Sequence, residues 1–524
     1  MVKNNSIQNS PLILIVLDGW GIAKPNKGNA VTLAKTPTMD GIKNKYSYTE
    51  LCAHGKCAGL PTDQVGNSEA GHMCIGAGMV IEQDVVEINQ SIKDGKFEKN
   101  PAFIEAIRHT INHKSNLHLM GMLSDGQSPH SDPEHIIALV NLAKKYGIKK
   151  VYLHLFTDGR DSPQYASLKM VQEIKKRLQN GETISTIVGR FYAMDRKKKW
   201  DRTKKTYEAL VGGIGKTAES AEAAITENYN KGETDEFVEP YVIIDGKIPR
   251  PRISDNDSVI FFNLRSDRAR QLAKTFVQDK FNSRNPGSFK RCKVLKNLKF
   301  VAMTDFGPDL DSIITAYPSD DLINTLPMVL STIKQLYIAE REKFAHITYF
   351  MNGGYDRKVD DEITHVIESP NVRSYDATPI MKTKELANFV IRNVNAKNGP
   401  KFDFTLLNIA APDMIGHTGN LQAAIECCTG VDAYLADIIK AYLKNGGTVI
   451  VTADHGNVEE MINLETDEII TQHSVNPVPF LIINKKLKNT IKLKKNGNLG
   501  DIAPTILKLL DIKMPKHLTG KPLF

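Results

Sequence analysis

Thr448–Gly456 reads TVIVTADHG, and the meaning given to this stretch decides the fold. Its opening residues are β-branched or apolar in an unbroken run that follows a Gly446-Gly447 break. A short continuous run without alternation marks a strand buried on both faces of a parallel sheet. The run stops at Asp454-His455-Gly456. Ligands in open α/β sheets gather outside the carboxyl ends of the strands, so this is a place for chemistry. One hard oxygen beside one imidazole nitrogen suits Zn²⁺ or Mn²⁺. A single DHG is also what a solvated loop looks like; its weight comes from other runs that end the same way.

Leu12–Leu17 is a second such run, closed by Asp18-Gly19-Trp20-Gly21. Phe404–Ala410 is a third and leads into Asp413 and His417, four residues apart, which one helical turn would bring onto the same face. His473 stands in TQHS, just before the strand-like Pro479–Ile483. Asp18, Asp413, Asp454, His417, His455 and His473 thus supply three carboxylates and three imidazoles, a number that suits two divalent ions better than one. In Gly66–His72, GNSEAGH, Asn67 or Ser68 would cap a helix. The local sequence favours the cap; the functional alternative is Ser68 as a nucleophile on a tight turn, where the helix dipole favours an incoming phosphate. Two metals bridging a serine and a phosphate would carry out phosphoryl transfer.

From about Glu82 helical patterns (Pro101–Ile111, Pro133–Tyr146) alternate with apolar runs (Leu117–Leu123, Lys150–Phe156, Thr183–Val188, Ser258–Phe262). That alternation predicts a second α/β unit. Its strand ends deliver His130, then Arg160-Asp161, then Arg190 with Arg196 beyond, then Arg265 and Arg268. Arginines gathered after strands read as an anion clamp, because the guanidinium fork binds carboxylate and phosphate bidentately. Farther on, Leu322–Arg341 reads as an amphipathic helix and Ala345–Phe350 as a strand, with Lys343 just before it. Gly500–Leu510 reads as a closing helix.

A chain of 524 residues predicts more than one domain. The formal charge of +8 is mild at this length, and the lysines are scattered, so a small phosphorylated metabolite fits as well as nucleic acid does; it is the set of metal-type ligands that argues against a nucleic-acid partner. Arg196–Lys199 with Lys204-Lys205 is a solvated helix start, and Gly215-Lys216-Thr217 lacks the upstream glycine of a P-loop. No run approaches transmembrane length, and the apolar Leu12–Leu17 is too short for a signal peptide. The six cysteines form no CxxC pair and no evident disulfide framework, so a cytoplasmic, reducing location is expected.

In order along the chain, LDGWG, GNSEAGH, FTDGRDSP, GRFYAMDR, FNLRSDRAR, PDMIGHTG, TADHGN and QHS resemble the cofactor-independent phosphoglycerate mutases of the alkaline phosphatase superfamily. The resemblance runs from Leu12 to the C-terminus. It implies an α/β fold in which an alkaline-phosphatase-like, parallel-sheet, metal-binding domain (1–82 and 316–524) carries an inserted α/β phosphotransferase and substrate-binding domain (83–315). It implies interconversion of 3-phosphoglycerate and 2-phosphoglycerate by a monomer, without bisphosphoglycerate, through a phosphoserine on Ser68. One metal would lie on Asp413, His417 and His473, and another on Asp18, Ser68, Asp454 and His455, with Mn²⁺ expected and Mg²⁺, Co²⁺ or Zn²⁺ as alternatives. His130, Arg160, Asp161, Arg190, Arg196, Arg265, Arg268 and Lys343 would bind substrate, with Asp161 and Lys343 joining Ser68 in catalysis. The rival readings are another phosphomutase or a metal-dependent phosphatase of the same superfamily. The chain departs from the family at Ser128–Asp132, Gly78-Met79, Ala411 and Arg357–Asp360.

Overall fold

The computed structural model describes residues 10–307, 309–310, 312–318, 322–354, 359, 362–488 and 491–524. The chain divides into two compact units, Met1–Gln83 with Asp320–Phe524, and Asp84–Ser319.

In the first unit the described residues form one sheet of eight strands. Across the sheet these are Glu362–Ile367, Gln335–Glu340, Phe404–Ile409, Leu12–Leu17, Thr448–Thr452, Val478–Ile483, Ser47–Cys52 and Gly497–Asn498. The first five run parallel, and Val478–Ile483 is antiparallel to both its neighbours. Leu12–Leu17, Phe404–Ile409 and Thr448–Thr452 are buried along their whole length, as their unbroken apolar sequences require. The register sets Leu17 beside Ile409 and Val16 beside Thr452, so these three strands end abreast. The antiparallel strand pairs Phe480 with Thr452, which brings the segment before it, with His473, to the same edge.

The second unit has its own largely parallel sheet. Its main order is Ile313–Tyr317, Lys299–Thr304, Ser258–Phe261, Leu117–Met122, Val151–Thr157, Thr183–Gly189, Tyr241–Asp245, Lys216–Ala218. A polar chain crosses its centre. His118 Nε2 lies 3.1 Å from Asp257 Oδ2, His118 Nδ1 lies 2.9 Å from His154 Nε2, and His154 Nδ1 lies 2.9 Å from Thr186 Oγ1.

The structure corrects three expectations. Leu322–Arg341 is not one helix: a single turn at Leu326–Val329 is followed by the strand Gln335–Glu340. Ala345–Phe350 is not a strand, since His346–Phe350 forms a π-helical turn. All six residues of Gln335–Glu340 are buried between two neighbouring strands, and that tertiary pairing overrides a spacing that also fits a helix. The third correction is a disulfide between Cys52 and Cys57, whose Cα atoms are 5.9 Å apart. The strand ends at Cys52 and the chain turns at once into Gly55–Ala58, which folds Cys57 back onto it. The other four cysteines are free. Among the described residues no helix is long and apolar enough to cross a membrane.

Candidate active site

At the edge where the strands of the first unit end, eight of the singled-out side chains converge: Asp18, Ser68, Lys343, Asp413, His417, Asp454, His455 and His473. Ser68 is the first residue of the helix Ser68–Ala77, and the preceding Asn67 caps that helix through its side chain, which accepts from Ala70 N. With Asn67 as the cap, the serine hydroxyl is left for other partners. Its Oγ is reached by Lys343 Nζ at 2.7 Å, lies 2.9 Å from His455 Nε2, and is 3.3 Å from Asp18 Oδ1. Gly71, one turn on, lets the helix lie against the DHG loop, because a Cβ there would sit 2.6 Å from Asp454 O.

Lys343 follows the strand Gln335–Glu340 in a tight turn, Arg341–Lys343. Its Nζ contacts Asp18 Oδ1 at 2.5 Å and Asp413 Oδ2 at 2.6 Å. Burial alone would lower its pKa, but Asp18, Asp413 and Asp454 more than reverse this, so it is a fixed ammonium. Asp413 lies on the short helix Ala411–Gly416 and ionises well below the usual carboxylate range; burial opposes this, and Lys343 and His417 outweigh it. Asp18 behaves oppositely: burial, with Asp454 adding to it, pushes its pKa up to about 7 against the pull of Lys343. Gly19, at φ +73°, passes so close to Asp413 that a Cβ would meet its Cα at 2.7 Å.

The histidines are held in one tautomer. His417 Nδ1 donates to Thr471 O at 2.9 Å, and His473 Nδ1 donates to Gly66 O at 2.7 Å. A carbonyl can only accept, so in the neutral rings both Nε2 atoms carry lone pairs. Those atoms are 3.1 Å apart, and each is 3.2 Å from Asp413 Oδ1. Three lone-pair atoms facing one point repel unless a cation lies among them. The edges fit one ion, since two ligands at 2.0–2.1 Å in tetrahedral geometry stand about 3.4 Å apart. Two groups in this unit, Asp413 with His455 and His473, and Asp18 with Asp454 and His455, have ligand atoms within 4.8 Å of one another. His455 is kept neutral, its pKa lowered by burial to about 3 despite Asp454. These donors fit divalent ions.

Sequence reasoning passed over three neighbours. Asn408 Nδ2 donates to Asp18 Oδ2 at 2.7 Å and lies 3.1 Å from His72 Nε2. His72 Nδ1 is 2.8 Å from Ser68 O and 3.3 Å from Asp454 Oδ2. Asn457 Nδ2 donates to Asp413 Oδ1 at 3.2 Å. His72 and Asn457 were legible as polar members of the two quoted motifs; Asn408, inside a strand, carried no signal.

The second unit gathers the remaining residues. Arg190 is buried, donates to Asp158 Oδ1 at 2.5 Å and also to Asp161 Oδ2, and sets its Nη2 3.1 Å from His130 Nε2. Asp158 accepts from Arg160 N and Asp161 N as well, which folds the Asp158–Asp161 turn around its own carboxylate. His130 is held neutral by burial, reinforced by Arg190 and Arg265. Arg196 and Arg265 both pair with Asp267. Arg268 has its pKa lowered to about 9 by burial and by the charges of Arg196, Arg190 and Arg160. Four arginines, Arg160, Arg190, Arg196 and Arg268, brought so close that one is destabilised as a cation could seat an anion. Of the departures, Asp132 caps the helix Pro133–Lys145, Gly78 ends Ser68–Ala77 at φ +66°, and Ala411 is a buried helix start. Arg357-Lys358-Val359-Asp360 lies, Val359 apart, outside the described residues.

Comparison with known proteins points one way. The family described as "BPG-independent PGAM N-terminus" matches residues 88–308. A 2,3-bisphosphoglycerate-independent phosphoglycerate mutase of Clostridium kluyveri is 42% identical over 518 residues, 98% of this chain and 99% of that protein. One from Methanosarcina barkeri is 46% identical over 521 residues, 98% of each. Among solved structures, a Leishmania mexicana phosphoglycerate mutase, studied at low cobalt concentration, matches with TM-score 0.90 and 28% identity over 98% of both chains. Fold and site therefore define an α/β enzyme with the fold of a phosphoglycerate mutase. Within that class, the chain belongs to the 2,3-bisphosphoglycerate-independent phosphoglycerate mutase family.

Proposed function

We propose that this chain interconverts 3-phosphoglycerate and 2-phosphoglycerate through a phosphoserine on Ser68, as a cytoplasmic monomer serving glycolysis and gluconeogenesis. The observation that carries this reading is the surroundings of Ser68 Oγ, with Lys343 Nζ at 2.7 Å, His455 Nε2 at 2.9 Å and a helix N-terminus behind it. In the forward direction Ser68 Oγ attacks phosphorus, the bond from phosphorus to the substrate's C3 oxygen breaks, and that oxygen takes up a proton. The 2-hydroxyl of the same glycerate then gives up its proton and attacks the phosphorus of the phosphoserine; the bond from phosphorus to Ser68 Oγ breaks, and the serine oxygen takes up a proton. The phosphoryl group comes from the substrate, so no bisphosphoglycerate is needed.

Asp413, His417 and His473 would hold one divalent ion, and Asp18, Ser68, Asp454 and His455 another, with Mn²⁺ suited to the mixed oxygen and nitrogen donors. Bound there, the ions would lower the serine pKa and offset charge on the transferring group. Lys343 donates to the serine oxygen and balances Asp18 and Asp413. Residues 83–315 form the substrate-binding domain in this reading, and residues 1–82 and 316–524 the metal-binding domain. Arg196, Arg265 and Arg268 take phosphate, while Arg160 and Arg190 hold carboxylate and hydroxyls. Asp161 and neutral His130 move protons to and from the hydroxyls. The test is a coupled assay with 3-phosphoglycerate and Mn²⁺, bisphosphoglycerate rigorously absent. Appearance of 2-phosphoglycerate is expected, and release of inorganic phosphate alone would refute the mutase reading.

A further inference from the structure

Glu459 belongs to no ligand group, yet it is fully buried (0% exposed) a few residues beyond His455. A buried carboxylate needs compensation. Among the described residues it forms no ion pair with a lysine or arginine; four hydrogen-bond donors surround it instead. Oε2 accepts from Gly21 N and Asn457 N, both at 2.9 Å. Oε1 accepts from Ser474 Oγ and, at 3.1 Å, from Asn476 Nδ2. The donors come from three segments, the one with Gly21 far from the other two in sequence, and each adjoins proposed ligands. Gly21 closes the turn that begins at Asp18, Asn457 follows Asp454-His455, and Ser474 follows His473.

The enclosure is tight. A Cβ on Gly21 would lie 2.3 Å from the Glu459 carboxyl carbon, and one on Gly456 would lie 2.3 Å from its Oε1. Ser474 N also donates to Gly456 O at 3.0 Å, so the DHG and QHS segments are tied to each other beside the carboxylate. Only an acceptor without hydrogens satisfies four donors at once. Glutamine would turn an amide NH₂ against two of them, and aspartate is one methylene too short to bridge all three segments.

We propose that Glu459 is a positioning residue that fixes Asp18, Asp454-His455 and His473 at their mutual spacing before any ion binds. The inference rests on the reading of those side chains as metal ligands. Groups that orient ligands in this way alter metal affinity by about 10–100-fold when removed.

The test is titration of metal-free protein with Mn²⁺ by calorimetry, alongside kcat measured as a function of Mn²⁺ concentration. The proteins are the parent, Glu459→Gln, Ser474→Ala and the exposed control Asp467→Asn. Glu459→Gln should bind Mn²⁺ at least about 10-fold more weakly and recover most of its kcat at saturating metal. Ser474→Ala should shift the same way by less, and Asp467→Asn should match the parent. A folded Glu459→Gln that binds Mn²⁺ with parental affinity, even with a lowered Tm, overturns the proposal. Should that variant not fold, parental Mn²⁺ affinity in Ser474→Ala overturns it instead. A parent protein that binds no Mn²⁺ would bring down the metal reading itself, a result distinguishable from the other two.

Discussion

Replacing Lys343 by methionine removes one ammonium from between two carboxylates and a serine while keeping most of the side-chain volume. Its Nζ lies 2.5 Å from Asp18, 2.6 Å from Asp413 and 2.7 Å from Ser68. Removing one partner of a buried ion pair costs about 3–5 kcal/mol, because the other charge is left uncompensated. Two carboxylates are affected here, but Asp18 has its pKa already raised to about 7 and would escape part of the cost by taking up a proton. The expected loss for the metal-free protein is therefore about 3–5 kcal/mol rather than twice that, which lowers Tm by about 10 °C in a unit of this size. The sign with pH follows. An acid whose folded pKa lies above its unfolded value binds the extra proton in the native state, so stability falls as pH rises through the folded pKa. The deficit of Lys343→Met should accordingly be larger at about pH 8 than at about pH 6. Loss of one preorganised donor to the serine oxygen should also lower kcat by about 10²–10³-fold. Differential scanning calorimetry of metal-free parent and variant at both pH values, with the coupled mutase assay, checks each part. A variant with the parental Tm at the higher pH, or with unchanged kcat, would refute the assignment of Lys343 to the centre of the site.

Ser68→Ala should abolish turnover while leaving Tm and substrate binding largely intact, since its oxygen is the only proposed nucleophile; labelled substrate that still deposits phosphate on the protein would contradict this. Arg160→Ala and Asp161→Ala should lose mutase activity steeply but release more inorganic phosphate per substrate consumed, because glycerate escapes before it is rephosphorylated. An Asp454→Ala control should lose both activities together, and an unchanged phosphate-to-isomer ratio in the Asp161 variant would dispose of the retention role. His154 is buried and held neutral well below the usual imidazole pKa, by burial first and then by His118. The unfolded chain takes up that proton below about pH 6.5 and the folded one does not, so the parent should lose stability relative to His154→Gln by up to about 1.4 kcal/mol per pH unit of acidification. Urea midpoints that move in parallel from about pH 7 to about pH 5 would show that the histidine is not neutral in the fold.

Much of this protein is legible in its sequence because buried parallel strands are written as unbroken apolar runs. Leu12–Leu17, Phe404–Ile409 and Thr448–Thr452 stand out for that reason, and the residues after them must lie at one edge of one sheet. The polar residues just past those runs, Asp18, Asp413 and Asp454-His455, could thus be grouped from the sequence alone, although hundreds of residues separate Asp18 from the others. Lys343 could not be grouped in this way. Its strand, QLYIAE, begins and ends on polar residues and sits in a stretch whose apolar spacing also suits a helix. Burial between Glu362–Ile367 and Phe404–Ile409 makes it a strand, and pairing is a property of the neighbours rather than of the segment. The same holds for the groups that orient the site. Asn408 facing Asp18, and Glu459 tying Gly21, Asn457 and Ser474 together, satisfy buried donors and acceptors drawn from distant parts of the chain. Local sequence records which side chains can ionise or ligate; only the fold decides which buried donor each must answer.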